Sequence, residues 1–315
     1  MDLQRPLYVD GFNDDEIRAV EALRARQLAD ADDLRRRVSA SRALGDMLTP
    51  DIIDEGTQVV RSVSVRNQAP IFTRPLFLTF LENLEWVAPT DIALLQMKRA
   101  LAGRPATYSQ FVTNAANSSM GALFELNIYH ALNEAFPGAE PQPRLTGSPP
   151  RYSDVRIVVG GVTVYVEATA LGDDQQTQRN HAIMFKTGQP VGGWGAGPTG
   201  EARRIVRKVS EELRQTAPDF PNLLAISFYG INSTTFSRDL AFGDLFTGAE
   251  HYGTNADGQA FDLTNLSRVD SIFEFSRDRL VRVRVNPTCD GALRLPDDVR
   301  GRIEAEMHAR TFMIR

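Results

Sequence analysis

The 315-residue chain has a single cysteine, Cys289, which excludes an internal disulfide framework and suits a reducing compartment. No run reaches the roughly 18 uncharged apolar residues of a membrane-spanning helix. The N-terminal Met1-Asp2-Leu3-Gln4-Arg5-Pro6 has no apolar core of a secretory signal. These absences predict a cytoplasmic protein with no membrane partner. Excess positive charge is missing too: 35 Lys and Arg face 40 Asp and Glu, for a formal net charge of −5. Without a global basic field, any contact with nucleic acid must come from local patches. There is no internal repeat and no long low-complexity tract.

The catalytic signatures that letters alone reveal are absent as well. His130, His181, His251 and His308 form no HExxH or paired metal spacing, and no G-x-S-x-G occurs. Cys289, in Pro287-Thr288-Cys289-Asp290, has no recognisable nucleophile context. Gly195-Ala196-Gly197-Pro198-Thr199-Gly200 fits G-x-G-x-x-G, but a polar loop precedes it where a dinucleotide site needs a strand. Glu201 stands where the lysine of a phosphate-binding P-loop would follow, so the segment reads as a loop.

What is present falls into two parts. Residues 13–44 are charged and helical in period, with Ile17, Val20, Leu23, Leu28 and Leu34 on one face. Asp14, Asp15 and Glu16 open that helix, where its dipole favours acids. Arg35-Arg36-Arg37 reads as a solvated face offset by neighbouring aspartates. An apolar helical region covers 75–102, and Gly103-Arg104-Pro105 breaks it. Residues 1–105 are therefore expected to be an all-helical region of unassigned role, with a surface for homodimerisation or for docking a protein partner.

Residues 106–315 read as an α/β domain. A helix ending near Phe136 carries Glu125, Ile128, Tyr129 and Leu132 on one face, which puts a carboxylate beside core residues. A short strand near 142–145 and a hairpin follow. After a polar, glycine-rich loop to residue 199, containing Lys186 and Trp194, comes a helix over 200–215. It turns Ala202, Val206, Val209 and Leu213 inward and Arg203, Arg204, Arg207 and Lys208 elsewhere. Residues 223–229 form a continuous apolar run that reads as a buried strand, and 271–275 and 280–285 read as two more. Arg282 and Arg284 alternate with valines and give the last strand one basic face, solvated by default. A C-terminal helix starts near Pro296.

The hairpin carries the chemistry. Two β-branched runs flank Gly160-Gly161, and glycine supplies the positive φ of a two-residue turn. Val159 then faces Val162, Ile157 faces Val164 and Val155 faces Val166, making one face apolar. On the other face Asp154 meets Glu167. Opposed like charges cost up to about 1 kcal/mol, and a divalent cation is the natural compensation.

The order of helix with Glu125, strand with Asp154, strand with Glu167-x-Thr169, helix and strand resembles the PD-(D/E)xK nuclease superfamily over roughly residues 118–230. The resemblance implies a restriction-endonuclease-like mixed sheet flanked by helices. It also implies a metal-dependent hydrolase that cleaves DNA phosphodiesters with a metal-activated water and uses Mg²⁺ or Mn²⁺. By that likeness Asp154 and Glu167 are metal ligands and Glu125 a further one. The motif lysine is replaced by Thr169, and Lys208 on the next helix is the first candidate to stand in for it, with Lys186 second. Arg203, Arg204 and Arg207 are placed to bind phosphates. The missing lysine and the acidic net charge keep a competing expectation open: a nuclease-fold module without catalysis that binds nucleic acid or protein.

Overall fold

A computed structural model describes residues 14–62, 75–117, 119–145, 151–172, 198–229, 234–248, 252–254, 258–276 and 279–310. These fall into two compact units. The first lies within Met1–Leu95 and Gln110–Ser119, the second within Gln96–Ser109, Met120–Asp173 and Ala196–Arg315. Among the described residues no helix is long and apolar enough to cross a membrane.

The first unit is helical: α1 (Asp14–Ala40), α2 (Leu44–Met47), α3 (Pro50–Ser62), α4 (Pro75–Glu82) and the start of α5 (Val87–Ala100). Proline opens α3 and α4, where its missing N–H costs nothing. The arginine trio of α1 is neutralised as expected, with Arg35 on Asp32 and Asp54 and with Arg36 and Arg37 on Asp33. Helix α2 has no cap of its own; Asp91 accepts from the N–H groups of Arg42, Ala43 and Leu44 instead, at 2.7–3.1 Å. Helix α3 buries Ile52, Ile53, Thr57 and Val60 on one stripe, and Gly56 lies on the same stripe against Phe77 of α4. A Cβ on Gly56 would meet the Phe77 ring at 2.5 Å, so Gly56→Ala forces the helices apart. The expected loss is about 1–3 kcal/mol, read as a lower denaturation midpoint. An unchanged midpoint would show that the contact yields freely.

Helix α6 (Pro105–Asn117) is divided between the units after Ser109, and the second unit takes α7 (Ser119–Ala135) from Met120 onward, with a mixed six-stranded sheet after it. Its strands are β1 (Glu140–Pro141), β4 (Val155–Val159), β5 (Val162–Leu171), β6 (Asn222–Phe228), β7 (Val269–Ser276) and β8 (Arg279–Val285), adjacent in that order. A small separate ladder joins β2 (Arg144–Leu145) to β3 (Arg151–Tyr152). The β1/β4, β4/β5 and β7/β8 pairs are antiparallel; β5/β6 and β6/β7 are parallel. Parallel neighbours need crossovers, and α8 (Pro198–Glu212) lies between β5 and β6, as α9 (Thr235–Thr247) does between β6 and β7. Helix α10 (Asp297–Arg310) closes the described chain.

The hairpin has the register its glycines impose: Val159 faces Val162, Ile157 faces Val164 and Val155 faces Val166. Gly160 and Gly161 have φ of 59° and 82°. Strand β6 is buried along its whole length because both its neighbours are parallel partners in mid-sheet. Ala202, Ile205, Val206, Val209 and Leu213 pack with Leu224, Ile226 and Phe228 and with Ala241, Phe242 and Leu245 of α9 in one core. On the opposite face Phe124 of α7 meets Phe275 of β7 edge-on at 5.1 Å. The sheet is thus sandwiched between helices.

Candidate metal centre

The antiparallel ladder between β4 and β5 stops at Val155 and Val166, and the site begins there. Past that point the side chains of the preceding residues take over the pairing. Ala168 N–H donates to Asp154 Oδ2 at 2.7 Å, and the Ser153 hydroxyl makes a long contact of 3.5 Å to the Val166 carbonyl. Asp154 is therefore pinned by backbone. Its opposition to Glu167 is relieved partly because its carboxylate turns to an N–H group.

The second partner of Asp154 comes from the turn between β1 and β2. Gln142 N–H donates to the Asp154 carbonyl at 2.8 Å. The Gln142 side-chain amide bridges two acids: Nε2 lies 2.5 Å from Glu125 Oε1 and 3.3 Å from Asp154 Oδ1. Gln142 has φ of 49°, the only non-glycine among the described residues in the left-handed region, and it stands between Pro141 and Pro143. Such a conformation is held from outside. Arg104 supplies the hold, donating to the carbonyls of Gln142 and of Pro141 (2.9 Å) and pairing with Glu140 at 3.3 Å. Arg156 anchors the other oxygen of Glu140 at 2.7 Å.

Glu167 is the anomaly. It is fully buried, and neither side-chain oxygen has a hydrogen-bond partner among the described residues. Burial above all, then the negative charge of Asp154, drives its pKa well above the usual carboxylate range; the Ser153 hydroxyl, near Glu167 but outside hydrogen-bond geometry, opposes the shift, and Glu212 and Glu125 add to it. Glu125 on α7 is raised likewise, by burial and then by Asp154, with Gln142 pulling the other way. Burial lifts Asp154 to about 7 against the lowering effects of Ala168 N–H, Gln142 and Lys208, with Glu212 adding to the rise. The three acids drawn from the sequence are thus brought into one electrostatic environment.

Two further groups belong to it. Glu212, buried at the end of α8, bears on all three acids. Lys208, one turn earlier, pairs with Glu212 at 2.6 Å and more loosely with Glu211 at 3.7 Å. Burial pulls the Lys208 pKa down, but the two glutamates outweigh it and raise the value overall. Lys208 lowers the pKa of Asp154, so its charge reaches the site. Thr169 is buried two residues beyond Glu167 on the same side of β5.

The arginines of α8 differ among themselves. Arg204 is held by Glu201 at 2.6 Å and by the Gly172 carbonyl at 2.7 Å. Arg207 is exposed, with a long 3.7 Å pair to Glu211, and the buried Nε of Arg203 has no partner among the described residues. Arg282 and Arg284 of β8 are both engaged by Asp239, and Arg284 also by Glu274. Lys186, Trp194, His181, His251 and Gly195 to Gly197 lie outside the described residues; Pro198 to Gly200 form the first turn of α8.

Sequence reasoning missed Gln142, Arg104 and Glu212. Glu212 had a signal, since Lys208-x-x-x-Glu212 spaces an ion pair one helical turn apart. Gln142 had none, because glycine or asparagine is the ordinary mark of a left-handed residue. Among the described residues no three Asp, Glu, His or Cys side chains are placed to hold one ion together. The three acids nevertheless offer oxygens of the kind a hard cation takes, and those of Glu167 have no hydrogen-bond partner among the described residues. Comparison with protein-family models, with curated proteins and with solved structures finds no match to this chain.

Proposed function

We propose that the second unit is a metal-dependent nuclease core of the PD-(D/E)xK type that hydrolyses DNA phosphodiester bonds. The observation that carries this reading is Glu167: a fully buried carboxylate whose two oxygens have no hydrogen-bond partner among the described residues, beside Asp154 and Glu125 at the end of an antiparallel hairpin. A buried acid without a donor is costly, and a site that tolerates it has a ligand to expect. The arrangement of α7, antiparallel β4/β5, crossover α8 and parallel β6 supports the restriction-endonuclease-like form of the sheet.

Asp154, Glu167 and Glu125 would hold Mg²⁺ or Mn²⁺, which supplies Lewis-acid activation of water and neutralises charge on the phosphate. Asp154 is oriented by Ala168 N–H, and the side chain of Gln142 reaches both Glu125 and Asp154. Lys208 brings the positive charge that Thr169 cannot, and Thr169 offers a hydroxyl to the water. Arg207 and Arg203 contact the DNA backbone, with Arg204 joining them if it leaves Glu201.

The pairing of Lys208 with Glu212 favours a second reading, a nuclease-fold module that binds DNA or a protein partner without cutting. A plasmid-cleavage assay with Mg²⁺ or Mn²⁺ separates the two. The wild type should cleave, and Asp154→Ala should fall by at least about a hundredfold. Salt-sensitive binding with no turnover selects the second reading, and equal cleavage by wild type and variant removes Asp154 from the site.

A further inference from the structure

We infer that Gln142 is itself a ligand of the cation site, through its side-chain oxygen, reached by turning over the amide that now donates to Glu125 and Asp154. This rests on the proposed metal centre and adds to it a residue that the superfamily likeness does not supply. Three observations converge.

The first is conformational. A left-handed glutamine between two prolines is an expensive choice where glycine would cost nothing, so the side chain has a task. The second is position. One NH₂ group spans Glu125 Oε1 and Asp154 Oδ1, so the terminal amide lies within reach of both carboxylates. The third is restraint: the backbone is fixed on one side by Arg104, on the carbonyls of residues 141 and 142, and on the other by the bond from Gln142 N–H to the Asp154 carbonyl. The backbone is clamped while the terminal amide remains a rotor with two broad, roughly equivalent orientations. Turning it over replaces two N–H donors with a neutral oxygen, a donor that hard cations accept. The amide can thus change from donor to ligand while the backbone clamp is kept.

The test separates the oxygen of Gln142 from its nitrogen. Gln142→Gly removes the amide and suits the left-handed backbone, so folding is not at risk from strain. Gln142→Glu keeps an oxygen at the same reach but cannot donate. Mn²⁺ affinity of the full chain is measured by titration with paramagnetic resonance detection, independent of cleavage. Gln142→Gly should bind Mn²⁺ about 10–100-fold more weakly than the wild type, and Gln142→Glu at least as tightly. Equal weakening of both variants would assign the amide a donor role and overturn the inference, as would an unchanged affinity in Gln142→Gly. A wild type that fails to bind Mn²⁺ removes the metal centre altogether. The expected Mn²⁺ series without any DNA cleavage removes the nuclease reading and leaves Gln142 as a ligand.

Discussion

Glu167→Gln is expected to make the protein more stable at pH 8 and, on the proposed nuclease function, to lower metal-dependent cleavage sharply. The stability gain follows from the direction of the Glu167 shift. A carboxyl whose pKa is higher folded than unfolded binds more protons in the native state across the interval between the two values. Its contribution to stability is fully present below the unfolded value near 4 and is lost as pH rises through the folded one. Asp154 adds a second loss of the same sign between its usual 3.8 and about 7. Glutamine at position 167 keeps the shape and has no proton to lose. The variant should match the wild type near pH 4 and exceed it at pH 8 by about 1–3 kcal/mol in denaturant unfolding. Cleavage should fall by at least about a hundredfold, since an amide offers one neutral oxygen in place of a charged pair. Saturating Mn²⁺ should narrow the stability difference, because only the wild type gains from the ion. A variant less stable than wild type at pH 8 would mean that Glu167 is satisfied and that the site reading is mistaken.

The hairpin that carries Glu167 was legible because its determinants are local. Gly160-Gly161 sets the turn, the period of two sets the faces, and one register buries the valines together. The inward stripe of α8 and the continuous burial of β6 were legible for the same reason. Helix α9 was not foreseen: its first described residues include an exposed Phe236, so its apolar pattern is blurred at the start. The site's electrostatics were half legible. Opposing Asp154 to Glu167 located the conflict, but its partial resolution by Ala168 N–H depends on where the ladder ends. Gln142 was out of reach, since its role comes from a backbone conformation that Arg104 enforces across 38 positions of sequence. Long-range restraint of that kind leaves no trace in spacing.

Asp270→Ala should act in the opposite direction and cost about 3–5 kcal/mol. Asp270, like Glu167, is a fully buried acid in a strand of the same sheet. Here every demand of the carboxylate is met: Arg300 of α10 reaches both oxygens at 3.1–3.2 Å, Leu295 N–H donates at 3.0 Å and the Ser271 hydroxyl at 2.5 Å. Its own carbonyl accepts from Asn286 N–H at 2.8 Å. Removing the side chain leaves the Arg300 guanidinium nearly buried beside the gap and the Leu295 N–H without its acceptor, and it unfastens α10 from β7. A drop in denaturation midpoint is the expected reading. Adding Arg300→Met should restore part of the loss, because it takes away the stranded charge. Two buried acids on one sheet are thus told apart by what surrounds them. The acid whose removal destabilises the fold serves the architecture, and the acid whose neutralisation stabilises it is held there for a ligand. If Asp270→Ala and Glu167→Gln shift stability with the same sign at pH 8, that distinction fails and Glu167 is structural.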